Sequence, residues 1–304
     1  MIDRRNILRL AGAATVAAAI GSGDVAIAAP RPGRPVIGVQ LYMLRELLAK
    51  DAEATLAAIA RIGIRHVEFA GYHDRTPAQW RALLKANDLT AIGAHSLYPD
   101  MRDEQIAAAI DFGGALGLEW LVAAVPRLPG LTLPFTEASF RAATHRITAD
   151  DLKATAERFN RIGERVKAAG MRFAYHSHGF DFRRYDGRYG LDLILEQTDP
   201  ALVALQLDIG NTIAAGIDPM PYLAPGGRTR LAHVKDWRAP YTPSLDDMPA
   251  SAPAGEGSIK WRPIITALER ARVPYAFIEQ EGIDPAAALD LLKRNYRYLQ
   301  GMRQ

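Results

Sequence analysis

The feature that most constrains how this chain folds is a regular alternation between short apolar runs and longer amphipathic segments. Eight of the apolar runs have the length and the bounding residues that are typical of buried strands. These predicted strands are Val36–Leu41, His66–Phe69, Leu89–His95, Trp120–Val125, Met171–His176, Val203–Asp208, Arg230–Val234 and Tyr275–Glu279.

The segments between these runs carry apolar residues at helical spacing. Thr76 and Pro77 are typical of an N-cap and a first helical position, and Gly170 is typical of the residue after a helix. The predicted helices are Ala52–Ile62, Pro77–Asn87, Asp103–Leu116, Thr148–Ala169, Leu191–Gln197, Met220–Leu223, Trp261–Arg270 and Pro285–Leu299.

Alternating strands and helices indicate a parallel sheet with helices outside it, and eight repeats predict closure into a single (β/α)8 TIM barrel. The alternative is an open doubly wound sheet, which usually carries a glycine-rich phosphate turn after its first strand. No GxGxxG or GxxxxGKS/T turn follows Val36–Leu41. The length of 304 residues also fits one barrel preceded by a leader.

The first residues of the chain resemble a bacterial export signal. Arg4 and Arg5 form a twin-arginine pair, Leu10–Ile20 is an Ala-rich apolar run, and Ala26-Ile27-Ala28 offers small residues for a signal peptidase. We therefore predict an export signal at 1–28, a linker at 29–35 and the barrel at 36–304. The alternative is a membrane anchor, for which the apolar run is short. We expect a periplasmic or secreted protein without stable membrane association after signal removal.

Composition excludes several classes of site. The chain has no cysteine, so disulfides, thiol nucleophiles and cysteine-bound metals are excluded, and any metal must be held by His, Asp and Glu. The formal charge is only +3, and no basic run is long enough to form a nucleic-acid surface. We expect no nucleic-acid partner. Both a monomer and a homo-oligomer are compatible with the sequence.

Polar residues stand at the ends of the predicted strands, where the active sites of such barrels lie. Alternation along a strand puts His176 and His178 on one face, and likewise Glu279 and Glu281. Taken singly, such a His is usually a hydrogen-bonded structural residue and such an Asp a helix cap. Several imidazoles and carboxylates that meet at one barrel mouth, however, need a cation to offset their desolvation and repulsion. These residues are Glu68, His95, His176, His178, Asp208, His233, Lys235, Glu279 and Glu281.

From about Pro35 to the end, the chain resembles the xylose isomerase-like barrel superfamily, in particular its sugar phosphate isomerase/epimerase group. The motifs that carry the resemblance are Tyr175-His176-Ser177-His178-Gly179-Phe180-Asp181-Phe182, Leu207-Asp208-Ile209-Gly210-Asn211, His233-Val234-Lys235-Asp236, Gly255-Glu256-Gly257 and Phe277-Ile278-Glu279-Gln280-Glu281.

The resemblance implies one divalent metal ion, held by His176, Asp208, His233 and Glu279. His176 departs from the family pattern, which usually has a glutamate there, and His178 and Glu281 are rival ligands. Two imidazoles and two carboxylates suit Mn, Co, Fe or Zn better than Mg.

The resemblance also implies a small carbohydrate substrate and an isomerase or epimerase that works through an enediolate. Because His176 replaces a glutamate, one-base chemistry becomes an alternative: a lyase that eliminates the aglycone from a 3-keto-glycoside. A non-catalytic periplasmic sugar-binding barrel is the third reading. The apurinic endonucleases of this fold use three zinc ions and a basic groove, which seven histidines and an export signal do not suit.

Roles for the remaining residues follow from the same resemblance. Glu279 or Glu281 would move the proton, and His178 would act as the acid or orient the substrate. Lys235 would stabilise an oxyanion or form a salt bridge to a nearby carboxylate. The residues predicted to line the substrate pocket are Glu68, His95 and Trp120. The stretch 126–145, which contains His145, is predicted to be a lid or substrate loop.

Overall fold

The computed structural model describes residues 33–97, 101–131 and 135–302, so the predicted export signal and most of the linker lie outside the described residues. Eight parallel strands form a closed barrel in the order β1-β8-β7-β6-β5-β4-β3-β2, which confirms the predicted fold. The strands are β1 Val36–Gln40, β2 His66–Phe69, β3 Thr90–Leu97, β4 Trp120–Ala123, β5 Arg172–His176, β6 Val203–Asp208, β7 Thr229–Val234 and β8 Tyr275–Ile278.

Helices surround the barrel. They are α1 Arg45–Lys50, α2 Ala52–Ile62, α3 Pro77–Ala86, α4 Asp103–Leu116, α5 Glu137–His145, α6 Ala149–Ala168, α7 Gly190–Gln197, α8 Ile209–Ala214, α9 Trp261–Arg270 and α10 Ala288–Gly301. Short 3-10 helices cover Leu41–Leu44, Gly179–Phe182, Met220–Leu223 and Pro285–Ala287. Among the described residues, no helix has the length and apolar character needed to cross a bilayer.

Local sequence explains where the predicted helices begin. Thr76 accepts a hydrogen bond from the backbone of Gln79, whose side chain accepts one from the Thr76 backbone, and Pro77 occupies the first turn of α3. Asp51 caps α2 by accepting a hydrogen bond from Ala54 N at 2.9 Å. These caps satisfy backbone donors that a helix leaves unpaired at its N-terminus.

The barrel interior is apolar at the amino ends of the strands and polar at their carboxyl ends. The apolar part is one buried cluster inside the barrel, separate from the larger core between barrel and helices. Its buried members are Ile92, Trp120, Val122, Ala174, Leu231, Tyr275 and Phe277. Because this floor is filled, only the carboxyl end of the barrel is left for polar chemistry.

The structure adds elements that the sequence pattern did not predict. The stretch 126–145 contains helix α5, which begins at a capping box formed by Thr136 and Ser139. Two hairpins pair Arg184–Tyr185 with Arg188–Tyr189 and Asp236–Trp237 with Ser251–Ala252. Strands of two residues are too short to show an alternating pattern, so the sequence does not predict them.

Candidate active site

The carboxyl ends of the strands bring together most of the polar residues predicted to form a site. Parallel pairing aligns His176 with Gln206 and Asp208 with His233 on neighbouring strands. The loop after β8 adds Glu279 beside the end of β7, where Glu279 N donates to Val234 O at 3.1 Å. Imidazoles, carboxylates and one ammonium group therefore share the barrel mouth.

The ammonium group of Lys235 lies among three carboxylates of this site. Its Nζ is 3.0 Å from Asp208 Oδ2, 3.0 Å from Glu279 Oε2 and 2.5 Å from Glu281 Oε1. Burial lowers the pKa of Lys235, but the three carboxylates outweigh it and raise this pKa well above its usual value. Of the two roles considered for Lys235, the structure shows the salt bridge to nearby carboxylates.

Asp208 uses its two oxygens for different purposes. Oδ1 accepts a hydrogen bond from Asn211 N at 2.9 Å and so caps α8. Oδ2 is buried and forms the ion pair with Lys235 at 3.0 Å, although the angles there are not those of a hydrogen bond; it also lies 3.6 Å from His176 Nε2. Gly210 allows the turn after β6 to pack closely against Lys235, because a Cβ at position 210 would lie only 2.4 Å from the Cβ of Lys235.

His233 lies between two carboxylates. Its Nδ1 is 2.8 Å from Glu279 Oε2, and its Nε2 is 2.7 Å from Glu68 Oε2. Burial lowers the pKa of His233, but the charge of Glu68 and the hydrogen bonds to both carboxylates outweigh this and raise it to about 10. The imidazole is therefore positively charged here and offsets the charge of its two neighbours.

Glu68 lies beneath the mouth and is fully buried. It accepts hydrogen bonds from Gln40 Nε2 at 2.8 Å, from Gln206 Nε2 at 2.6 Å and from His233. Burial raises the pKa of Glu68, but His95 and His233 outweigh burial and lower it to about 2. Glu68 is thus an ionised carboxylate whose oxygens are occupied by partners inside the barrel.

His178 borders the site next to His176, with 4.8 Å between the centroids of the two rings. Its Nδ1 is buried and has no hydrogen-bond partner, while burial and then the charge of Lys235 lower its pKa to about 3. Its position depends on Asp181, whose Oδ2 accepts from His178 N at 2.7 Å and whose Oδ1 accepts from Tyr175 Oη at 2.7 Å. His178 is therefore a neutral imidazole at the barrel mouth.

The side chains fit a divalent cation. Asp208, His233 and Glu279 offer ligand atoms within 4.8 Å of one another, and so do His95, His176 and His233. Two acceptors that face each other, Asp208 Oδ2 and His176 Nε2, have no hydrogen bond between them. Nitrogen and carboxylate ligands together suit Mn, Co, Fe or Zn.

Two predicted pocket residues lie elsewhere. Trp120 is the first residue of β4, 2% exposed, and it belongs to the apolar floor with the guanidinium of Arg172 over its ring. The prediction that Trp120 lines the pocket is therefore wrong, because the residue lies at the amino end of its strand. Glu68 also has no free surface. His95 remains at the mouth, where its side chain is 11% exposed.

The structure reveals site residues to which sequence reasoning assigned no role. Gln40 and Gln206 hold Glu68, and Asp181 holds His178. Tyr42 follows β1 at the rim and is 37% exposed. Gln206 stands two residues before Asp208 on the same face of β6, and this spacing was the available signal. His145 lies on α5, where it pairs with Asp246 at 3.1 Å.

A closed parallel barrel with its polar site at the carboxyl ends of the strands is the arrangement of TIM-barrel enzymes. The chain belongs to the xylose isomerase-like TIM barrel family, whose model matches residues 56–300. This match confirms the resemblance seen in the sequence motifs.

Curated relatives of this chain are named inosose dehydratases. The inosose dehydratase of Geobacillus thermodenitrificans is 28% identical over 141 residues, which are 42% of this chain and 46% of that protein. The inosose dehydratase of Clostridium tetani is 26% identical over 167 residues, 50% of this chain and 55% of that protein. The chain therefore spans about half the length of these curated relatives.

Solved structures show the same fold at lower identity. A sugar phosphate isomerase/epimerase from Parabacteroides distasonis has a TM-score of 0.68 at 22% identity, covering 88% of this chain and 96% of its own. An L-ribulose 3-epimerase has a TM-score of 0.61 at 16% identity, covering 88% and 94%. The probable 3-DHS dehydratase of Bacillus anthracis has a TM-score of 0.63 at 15% identity, covering 87% and 98%.

Proposed function

We propose that this chain is a divalent-metal-dependent lyase that removes a proton next to the carbonyl of a small polyhydroxylated ketone and expels a group from the neighbouring carbon. The observation that carries the proposal is the contact between Lys235 and Glu281, an acid and a base side by side at the barrel mouth. Syn elimination uses an acid and a base on one face of the substrate, whereas epimerisation by two bases uses both faces.

The cation would be held by His176, Asp208, His233 and Glu279, the set of two imidazoles and two carboxylates at the strand ends. When bound, a divalent ion at this place supplies Lewis-acid polarisation of a substrate carbonyl. A divalent ion held there would compete with the ammonium of Lys235 for the oxygens of Asp208 and Glu279. The contact of Lys235 with Glu281 involves none of the four proposed ligands.

Glu281 is placed to act as the base. Its side chain is 26% exposed, compared with 7% for Glu279, so its carboxylate reaches a substrate in the mouth. Glu281 would accept the proton from the carbon next to the carbonyl. The electrons of the C–H bond form a carbon–carbon double bond, and the bond to the leaving oxygen breaks.

Lys235 is placed to act as the acid. Its charged ammonium would give a proton to the departing oxygen, which leaves as water or as an alcohol. Because Glu281 gains a proton and Lys235 loses one, the return of that proton between the two contacting groups restores the resting state. The sum of the reaction is an unsaturated ketone and one released hydroxyl compound.

The sequence relatives support elimination of water in particular. They are named inosose dehydratases, and a structural neighbour is a probable 3-DHS dehydratase. We therefore propose a cyclic polyhydroxylated ketone as the first substrate class to test, and 3-keto-glycosides as the second.

Epimerisation is the second function that an observation favours. His178 presents a buried Nδ1 without a hydrogen-bond partner, beside the ring of His176. In that position a neutral imidazole serves as a second proton carrier, and an L-ribulose 3-epimerase shares the fold. The product would then be a stereoisomer of the substrate with the same mass.

The test is incubation of the mature protein, loaded with Mn or Co, with inososes, ketohexoses and 3-keto-glucosides in deuterated water, followed by NMR and mass spectrometry. Elimination predicts a product lighter by one water or one alcohol. Epimerisation predicts an isomer that carries deuterium at the epimerised carbon. Binding of a sugar with no change in any substrate would overturn both and favour a binding protein.

Variants assign the roles in the same assay. Glu281→Gln and Lys235→Met should each lower kcat by at least about 100-fold, the size typical of a lost acid or base. Glu256→Gln is the matched control, because Glu256 pairs with Arg294 outside the site. Equal activity in all three variants would remove the Lys235–Glu281 pair from the mechanism.

We also propose that the leader exports the folded chain to the periplasm. The twin-arginine pair Arg4-Arg5, the apolar run and the Ala-rich end of the leader support this proposal. Replacement of both arginines by lysine should retain the protein in the cytoplasm in a fractionation experiment. Unchanged periplasmic recovery of the double variant would reject this route.

A further inference from the structure

Three polar residues form a layer directly beneath the imidazoles of the site. Gln40 on β1, Glu68 on β2 and Gln206 on β6 are all 0% exposed, so none of them reaches a substrate. Each is hydrogen-bonded to another member of the layer or to a site histidine. We call these three residues the amide–carboxylate layer.

The donors and acceptors of this layer can be assigned in order, starting at Glu68. An ionised carboxylate only accepts hydrogen bonds. Gln206 must therefore turn its NH2 group toward Glu68 Oε1, at 2.6 Å, and its carbonyl oxygen the other way. Gln40 donates its NH2 group to Glu68 Oε2 at 2.8 Å.

The carbonyl oxygen of Gln206 then determines where two imidazoles carry their hydrogens. It lies 2.8 Å from His95 Nε2 and 3.0 Å from His176 Nδ1. Because this oxygen only accepts, both ring nitrogens must be N–H donors. In the neutral ring of His176 the lone pair is consequently on Nε2, the atom that faces Asp208 Oδ2 at 3.6 Å.

Glu68 has the same effect on His233. Its Oε2 accepts from His233 Nε2 at 2.7 Å, so that nitrogen is held as N–H. The other ring nitrogen, Nδ1, points at Glu279 Oε2 at 2.8 Å. Because an ionised carboxylate only accepts, Nδ1 also carries a hydrogen in the metal-free protein. A cation held by Glu279 would replace that hydrogen, and Nε2–H would stay bonded to a carboxylate behind it, as is common for metal-bound histidines.

We propose that the amide–carboxylate layer holds Nδ1 of His176 and Nε2 of His233 as N–H groups, so that the ring nitrogens left for a cation are His176 Nε2 beside Asp208 and His233 Nδ1 beside Glu279. Glu68 is thus a positioning residue and not a substrate contact, and Gln206 is a second one. The inference rests on the proposed metal function for its use, while the hydrogen bonds that hold these two N–H groups exist without metal or substrate. The arrangement fits the chain because each layer member has its partner on a different strand of the closed barrel.

The first experiment reads the tautomers directly. Long-range 1H–15N NMR of metal-free protein should show His176 as the Nδ1–H form in the native chain. Gln206→Met, which has a similar shape and no amide, should give a mixture of the two forms at His176. A native His176 in the Nε2–H form, or the same tautomer in both proteins, would overturn the proposal.

The second experiment measures Co(II) binding by absorption titration. Gln206→Met and Glu68→Gln should each raise the Kd for Co(II) by roughly 10- to 100-fold, the usual effect of removing a partner behind a ligand. Gln280→Met is the matched control, because Gln280 is equally buried but bonds Asn295 and Ser251 away from the imidazoles. An equal Kd in all four proteins would also overturn the proposal.

The two measurements separate this inference from the proposed lyase activity. If the predicted tautomer and the weakened Co(II) binding are found but no substrate is turned over, the layer stands and the lyase proposal fails. Glu68→Gln serves as the second variant if Gln206→Met does not fold, because glutamine has the same volume as glutamate. Its NH2 group would face one of the three donors that Glu68 accepts from, so one hydrogen bond of the layer would be lost.

Discussion

At the scale of single residues, several side chains of the site use one polar atom for a structural hydrogen bond and face the site with the other. Asp208 caps α8 with Oδ1 and keeps Oδ2 for the site. His233 is held from behind by Glu68 and faces Glu279 with its other nitrogen. A carboxylate has two oxygens and an imidazole has two nitrogens. The same residue can therefore cap a helix or make a structural hydrogen bond and also bind a ligand.

Asp181 gives a prediction at the same scale. Burial outweighs its hydrogen bonds from His178 N and Tyr175 Oη and raises the pKa of Asp181 to about 7, whereas an aspartate in an unfolded chain titrates near 4. The folded protein thus holds a proton that the unfolded chain loses between about pH 4 and pH 7. The contribution to stability is fully present below about pH 4 and is lost as the pH rises to about 7.

We expect the free energy of unfolding of the native chain, relative to Asp181→Asn, to fall by up to about 1.4 kcal/mol per pH unit across that window. Urea unfolding of both proteins at pH 5, 6, 7 and 8 measures this difference. A difference that stays constant from pH 5 to pH 8 would show that the Asp181 carboxyl does not titrate there.

At the scale of elements, the end of β7 organises the segment that follows it. Asp236 is fully buried and accepts from Trp237 N, Gly255 N, Ile259 N and Trp261 Nε1 at 2.8 to 3.1 Å. Gly257 is required beside it, because a Cβ there would lie 2.2 Å from Asp236 Oδ1. One carboxylate thus ties the hairpin strand, the Gly255-Glu256-Gly257 turn and the start of α9 to the residue next to Lys235.

This arrangement predicts a large cost for a small change. Asp236→Asn turns an NH2 group toward donors that need an acceptor, and it should lower the free energy of unfolding by about 3 kcal/mol. Asp284→Asn is the matched control, because Asp284 caps an exposed 3-10 helix through one oxygen and asparagine caps nearly as well. Urea unfolding curves that shift equally for both variants would contradict the role of Asp236.

At the scale of the whole molecule, the closed barrel brings several buried charged groups together at its mouth, and their desolvation must be offset by contacts among them. Glu68, Asp208, Glu279, His233 and Lys235 are all buried, and they compensate one another through contacts between different strands. A cation held by the four proposed ligands would connect β5, β6, β7 and the loop after β8. Metal binding should therefore stabilise the barrel as a unit.

We expect Mn or Co at about 100 times its Kd to stabilise the protein by about 2.7 kcal/mol, which corresponds to a rise in Tm of about 5 to 10 °C. EDTA should reverse the rise. Asp208→Asn keeps the oxygen that caps α8 and removes the charge, so its Tm should not respond to metal. A native Tm that is indifferent to every divalent ion would speak against the metal site.

The fold was predictable from the sequence because its signals are local. Helix α2 and strands β2 and β6 have the predicted bounds, since caps, apolar periodicity and strand-bounding residues lie within a few positions of each other. The two-residue hairpin strands and α5 were missed, because their patterns are short or depend on contacts with other segments. The export signal stays a prediction.

Which residues meet at the barrel mouth could be expected from the sequence, since inward-pointing residues at the carboxyl ends of the strands face the same mouth. The position of each side chain along the barrel axis could not be predicted from the sequence. Trp120 and Glu68 follow similar patterns, yet one lies in the apolar floor and the other beneath the imidazoles. The stagger of the strands sets this depth, and it arises only when the barrel closes. For the same reason only the tertiary structure decided that Gln40, Glu68 and Gln206 lie behind the histidines, because their partners come from strands far apart in the chain.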